Sequence, residues 1–227
     1  MGTVSILDST TRNPITLIGE RAGICWGADI SNAEKNYKRG LDCIQSGHGR
    51  TLEFVNVDML IDGYSARVIR EYMRHVGGGL TVLQASTRYI NYENFEYITP
   101  DSIIRNEAAN DIYFKAMCTI QAALKLLEGI KIPREDAAML LPLGMTTRLV
   151  DHKNLRNLID MSRTRMCNRA YWEFRQLFND ILYALSEVSD EWRTIVRTQM
   201  KRKCEVLGYC PETHGCGAYP KAGEKNG

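Results

Sequence analysis

The chain has 227 residues, 44% of them hydrophobic and 25% charged, enough to bury a core in one moderate domain. Its formal net charge of +2 is too small for a general polyanion-binding surface, although local basic clusters can still hold single phosphates. No apolar run approaches the ~20 residues that span a bilayer, the first residues carry no signal-peptide core, Ile6 stands where a myristoylation motif needs Ser or Thr, and an odd set of seven cysteines predicts reduced thiols in a cytoplasmic setting.

In chain order, Ser31 is placed to cap a helix running to about Ser46, with Ala33, Tyr37, Leu41 and Ile44 on one face and Gly47 as its stop. Val55, Val57 and Met59 alternate with Asn56 and Asp58, which predicts a strand from Phe54 to Ile61, turned by Asp62-Gly63. Ser65 is expected to cap a helix ending at His75, so that Arg70, Glu71, Arg74 and His75 fall where a helix opens into the Gly77-Gly78-Gly79 loop. An amphipathic pattern beginning at Asp101 or Ser102 predicts a long helix to about Glu128, closed by Gly129 and Pro133. Shorter helices are expected at Arg134–Leu140 and Asn154–Arg163, a long one from Ala170 to about Glu187, and a last one over Asp190–Lys203. With no internal repeat and no low-complexity linker, these elements describe one α+β domain over residues 1–203, a mixed sheet with several helices, and a Cys-rich tail over 204–227.

Chemistry concentrates in Arg74-His75-Val76, the triple glycine and Gln84-Ala85-Ser86-Thr87-Arg88-Tyr89. Guanidinium forks suit phosphate or an imide edge, His and Ser add single hydrogen bonds, and glycines let backbone N–H groups approach a ligand. The same composition also suits a glycine turn between charged surface helices.

Other pieces lie in line with this stretch. Gly47-His48 precedes Thr51-Leu52-Glu53-Phe54; Leu141-Pro142-Leu143 and Thr147-Arg148 precede Asn154-Leu155-Arg156-Asn157-Leu158, then Arg165, then Trp172-Glu173. From about Ser46 to Glu173 this series resembles the flavin-dependent thymidylate synthases, whose signature sets Arg-His-Arg ahead of Ser-x-Arg-Tyr. The resemblance implies that fold, and the conversion of dUMP to dTMP with FAD, with NADPH as reductant and methylenetetrahydrofolate as one-carbon donor. It also implies FAD sites shared within a homotetramer; charge and the lack of a long apolar run give the expectation of no nucleic-acid or membrane partner.

By the same resemblance, Glu71, Arg74, Gln84, Ser86, Thr87, Arg88 and Arg165 fall on substrate positions. His48, Arg74, His75, Gln84, Asn154, Arg156 and Asp160 fall on flavin positions. Arg165 takes the catalytic role: its counterpart meets the uracil edge, and a guanidinium stabilises developing anionic charge without losing a proton. Ser86 has no His or Asp beside it in sequence to serve as its base, so it is read as a ligand-binding hydroxyl. Glu53, leading into a strand, is expected to need an Arg partner.

The chain also departs from the pattern. Val76 replaces a flavin-binding Arg, the glycine loop is longer by two residues, Ala138 stands where an Arg commonly reaches the nucleotide, Asp160 replaces an Asn, and Arg50 replaces a small hydroxyl residue. Arg50, Arg134 or the glycine loop is then expected to compensate. A flavin-dependent pyrimidine hydroxymethylase of the same fold, and a non-enzymatic nucleotide- or RNA-binding module, are the alternative readings. In the tail, Cys204, Cys210, His214 and Cys216 offer four soft donors within thirteen positions, a candidate zinc set of irregular spacing.

Overall fold

A four-stranded antiparallel sheet in the order β1-β2-β4-β3 carries the fold: Thr3–Ile6 (β1), Asn56–Ser65 (β2), Thr81–Gln84 (β3) and Thr146–Asn154 (β4). The computed structural model describes residues 2–76 and 81–223, so the Gly77-Gly78-Gly79 loop lies outside the described residues. The α+β class holds, and every pairing within this sheet is antiparallel where mixed pairing was expected. Helices at Pro14–Cys25 (α1), Ala33–Gln45 (α2), Ala66–Tyr72 (α3), Asp101–Ile104 (α4), Glu107–Gly129 (α5), Arg134–Ala137 (α6), Leu155–Arg165 (α7), Trp172–Ser186 (α8), Asp190–Gln199 (α9) and Lys203–Leu207 (α10) complete it.

Several expected boundaries move for local reasons. Ser31 spends its backbone N–H and hydroxyl on Asp29, so Asn32 becomes the cap of α2, accepting from Lys35 N at 2.9 Å. Gly63 makes no turn: its φ of 74° creates a bulge in β2, where the register with β4 shifts between Asp62 and Tyr64, and the strand runs on to Ser65. The expected helix to Glu128 breaks at Arg105–Asn106, because Asn106 caps a new start by accepting from Ala109 N at 3.0 Å. Likewise the last helix stops at Gln199, and α10 begins separately at Lys203.

The main core fills one face of the sheet. Val57, Met59, Ile61 and Leu149 from the strands pack with Ile15 and Ile18 of α1, Leu155 and Leu158 of α7, Phe174, Leu177 and Phe178 of α8, and Trp192 of α9. A smaller core of Phe95, Met117, Leu124 and Met145 lies beneath α5. Helices α1 and α2 touch backbone to backbone at two glycines. A Cβ on Gly40 would sit 1.9 Å from Ile15 O, and one on Gly19 would sit 1.8 Å from Asn36 O. Gly40→Ala is therefore expected to force the pair apart and cost roughly 1–3 kcal/mol, the scale of an overpacked core. A urea midpoint equal to that of the parent chain would contradict the contact.

Candidate active site

Helix α3 begins at a corner built by a residue from α8. Buried Glu173 accepts from Ser65 N at 2.7 Å and from the Ser65 hydroxyl, while Ser65 Oγ accepts from Val68 N at 3.2 Å and so caps α3. The expected cap is thus present. The helix ends at Tyr72 rather than His75, since the chain tightens into three-residue turns, with Arg74 N reaching Glu71 O and His75 N reaching Tyr72 O at 3.3 and 3.1 Å.

That tightening brings His75 to the far end of α7. Arg165 Nε donates to His75 Nε2 at 2.7 Å, Arg165 Nη1 lies 3.4 Å from Glu71 Oε2, and the guanidinium carbon sits 4.5 Å from the Phe174 ring centroid. His75 meets the same ring edge-on at 5.8 Å. Burial first, then the cations Arg165, Lys153 and Arg74, pull the His75 pKa down to about 4. The imidazole is therefore neutral near pH 7, with Nε2 as acceptor and the proton on Nδ1. Burial also lowers the Arg165 pKa, opposed by Glu71, but a guanidinium stays charged at any working pH. With its side chain 20% exposed, Arg165 keeps Nη2 without an acceptor among the described residues. A fixed, charged edge is left for a ligand.

Beside this cluster, a cleft of about 210 Å³ is lined by Arg67, Arg70, Glu71, Arg74 and Leu143. Three guanidiniums face one carboxylate there, a surplus of positive charge suited to a phosphate monoester. Sequence reading passed over Arg67 and gave Arg70 a place at the helix end but no ligand role. The available signal was the spacing 67, 70, 71, 74, which puts all four charges on one helical face.

The remaining candidates fall into two other patches. At the entry to β2, Glu53 takes Arg156 at 2.7 Å and Arg50 at 3.1 Å, the Arg partnership expected for it; the Arg156 hydrogen bond is the main reason its carboxyl titrates below the usual range. Asn154 is close in sequence, but its side chain caps α7 by accepting from Asn157 N at 2.9 Å. His48 Nδ1 pairs with Ser46 Oγ at 2.7 Å. Asp160 is exposed and, among the described residues, meets Arg163 at 3.9 Å. Along the loop after β3, Ser86 Oγ accepts from Arg88 N at 3.2 Å, Arg88 Nε donates to Glu135 at 2.8 Å, and Thr87 stands exposed between them. Gln84 reaches the Thr147 hydroxyl at 3.2 Å. Arg156 and Arg165 start and finish one rigid helix, nine residues or about 13 Å apart at 1.5 Å per residue.

Both residues expected to compensate for lost cations are already engaged, Arg50 with Glu53 and Arg134 with Glu128 at 3.0 Å. In the tail, Cys204, Cys210 and Cys216 line a cavity of about 290 Å³ together with Cys167, while His214 does not. Among the described residues no three His, Cys, Asp or Glu side chains are grouped to hold a metal ion.

The family model described as thymidylate synthase complementing protein matches residues 6–189. The chain belongs to that family. A flavin-dependent thymidylate synthase from Nitratidesulfovibrio vulgaris is 29% identical over 208 residues, spanning 86% of this chain and 82% of its own. One from Pyrococcus abyssi is 33% identical over 173 residues, spanning 73% and 69%. The crystal structure of the flavin-dependent thymidylate synthase from Helicobacter pylori, complexed with FAD and dUMP, superposes with a TM-score of 0.66 at 21% identity, covering 85% of this chain and 98% of that one. At that identity the likeness establishes the thymidylate synthase complementing fold.

Proposed function

We propose that this chain is a flavin-dependent thymidylate synthase, converting dUMP to dTMP, in which Arg165 activates the uracil ring. The observation that carries this reading is the half-buried Arg165 guanidinium, anchored by His75 and Glu71 with one edge unused, next to a cleft with surplus positive charge. The nucleotide phosphate belongs in that cleft, among Arg67, Arg70 and Arg74. Ring activation places negative charge on the uracil carbonyl edge, and Nη2 of Arg165 is the donor available to it. His75, neutral and accepting from Nε, sets the plane of the guanidinium; Glu71 fixes Nη1 and balances the charge.

FAD suits the donor set at the entry to β2. Arg50 and Arg156 share one carboxylate, which leaves a net cation for a pyrophosphate, and Arg74 and His75 provide donors towards a ring system. When bound, FAD supplies the reducing electrons, with NADPH as their source and methylenetetrahydrofolate as one-carbon donor.

Among the described residues, Ser86, Thr87 and Arg88 make no hydrogen bond or ion pair with Arg165, Arg88 instead pairing with Glu135, which leaves room for sites completed by neighbouring subunits. Two exposed apolar surfaces favour a homo-oligomer, as a homotetramer requires. Of the 23 residues of α5 only Met117 and Leu124 are buried, while Ile112, Phe114 and Leu126 are exposed. The outer face of the sheet likewise exposes Leu83 and Val150. A cytoplasmic location fits seven free cysteines, and no helix among the described residues is long and apolar enough to cross a membrane.

The purified chain, reconstituted with FAD, is expected to keep a yellow chromophore through gel filtration, to oxidise NADPH, and to form dTMP from dUMP and methylenetetrahydrofolate. Protein that retains no flavin and oxidises no NADPH would overturn the assignment. A hydroxymethylated product in place of dTMP would overturn the one-carbon step alone.

A further inference from the structure

Beneath the Arg165 cluster, β4 turns two charges into the core. Asp151 and Lys153 are fully buried, and Lys153 Nζ lies 3.2 Å from Asp151 Oδ1. The Tyr72 hydroxyl donates to Asp151 Oδ2, and Lys153 Nζ sits 5.2 Å from the Tyr72 ring centroid. Tyr72 is the last residue of α3, next to Glu71 and three before His75. A buried ion pair adds little stability over well-packed apolar residues of the same volume. Its place under the α3 terminus calls for another role.

We propose that Lys153 is a positioning residue, which with Asp151 and Tyr72 holds the end of α3 so that His75 Nε2 faces Arg165 Nε. The proposal rests on the reading of Arg165 and His75 as site residues given above. Two effects act together. The Tyr72–Asp151–Lys153 chain pins the α3 terminus to β4, and the Lys153 cation opposes a proton on His75, which would turn its Nε2 from acceptor to donor and break the bond from Arg165.

The groups facing His75 are Arg74 and Tyr72 from its own segment, Arg165 with its partner Glu71, Lys153 with its partner Asp151, and the uncharged Phe174 ring of α8. Three of these are cations. Burial and Arg165 act more strongly on the imidazole than Lys153 does, so loss of Lys153 moves its titration without normalising it.

The test follows the imidazole C–H signals of the four histidines by NMR through a pH titration of the ligand-free chain, with His75 identified by loss of its signal in His75→Gln. In the parent chain His75 is expected to stay neutral down to about 4. Lys153→Met should raise that midpoint by about one unit, the scale of removing one nearby charge, and Lys153→Arg should leave it in place. Since no ligand or turnover enters the measurement, failure of the thymidylate reading would not change this result. Should Lys153→Met not fold, the charge-neutral pair Lys153→Met with Asp151→Asn replaces it, with a smaller upward shift expected because the opposing charge of Asp151 leaves with it. A midpoint unchanged in the folded variant, or a double variant that does not fold, overturns the proposal and makes the pair a stability element.

Discussion

Arg165→Ala is expected to lower dTMP formation about a hundredfold to a thousandfold, the usual loss when one preorganised electrostatic donor is removed, while FAD stays bound. The reasoning is geometric. Nε and Nη1 are committed to His75 and Glu71, so the guanidinium cannot swing, and Nη2 is presented already oriented. Alanine removes the donor and leaves His75 and Glu71 without their partner, yet touches nothing in the Glu53, Arg50 and Arg156 patch. Ser86→Ala, by contrast, should weaken dUMP binding and leave measurable turnover, since no His or Asp stands beside Ser86 in sequence and its oxygen accepts from Arg88 N. Normal turnover of Arg165→Ala at saturating dUMP would sink the assignment of charge stabilisation to this residue.

Activity carried by the Arg165–His75 bond should also fail in acid. The folded His75 pKa of about 4 lies below the ordinary imidazole value of 6.5. Below about pH 6.5 the unfolded chain gains a proton that the folded chain refuses, so stability falls through this window and levels off below pH 4.

The largest loss of stability is expected from Glu173→Ala. Its carboxylate is buried and accepts both the Ser65 N–H and the Ser65 hydroxyl. Each buried donor left unpaired costs roughly 1–3 kcal/mol, and the Ser65 oxygen that caps α3 loses its anchor too. Glu173→Gln, which can still accept from one donor, should lose less. Urea midpoints order the three proteins, and hydrogen exchange at Val68 and Ile69 reports the cap directly. Equal midpoints for Glu173→Ala and the parent chain would show that Ser65 finds other partners.

What the sequence disclosed and what it hid follow from where each residue spends its polarity. Helix α8 and the Ser65 cap were legible because apolar spacing and a capping hydroxyl are local signals. β4 was hidden: of its inward positions Thr147, Leu149, Asp151 and Lys153 only Leu149 is apolar, so the alternation that marks a strand is missing. α1 was not anticipated; its Gly19 and Gly23 carry no helix signal in sequence, and their use shows only where α2 and Ile30 pack against them. Motif order singled out Arg165, His75 and Glu71, which the fold brings into contact across 90 or more positions of sequence. Arg67 escaped notice, and Arg70 was given no ligand role, because neither belongs to a motif, only to a face.

Of the three arginines in helix α7, Arg156 stands in its first turn and Arg165 at its last residue. Its length is therefore a chemical quantity. One inserted residue would advance Arg165 by 1.5 Å and rotate it by about 100°, carrying the guanidinium off Phe174 and away from His75 although every side chain named above survived. Substitutions along the exposed side of this helix are free to accumulate, whereas a single insertion or deletion is not. Among divergent relatives the spacing from Arg156 to Arg165 should thus be held more tightly than the residues that fill it.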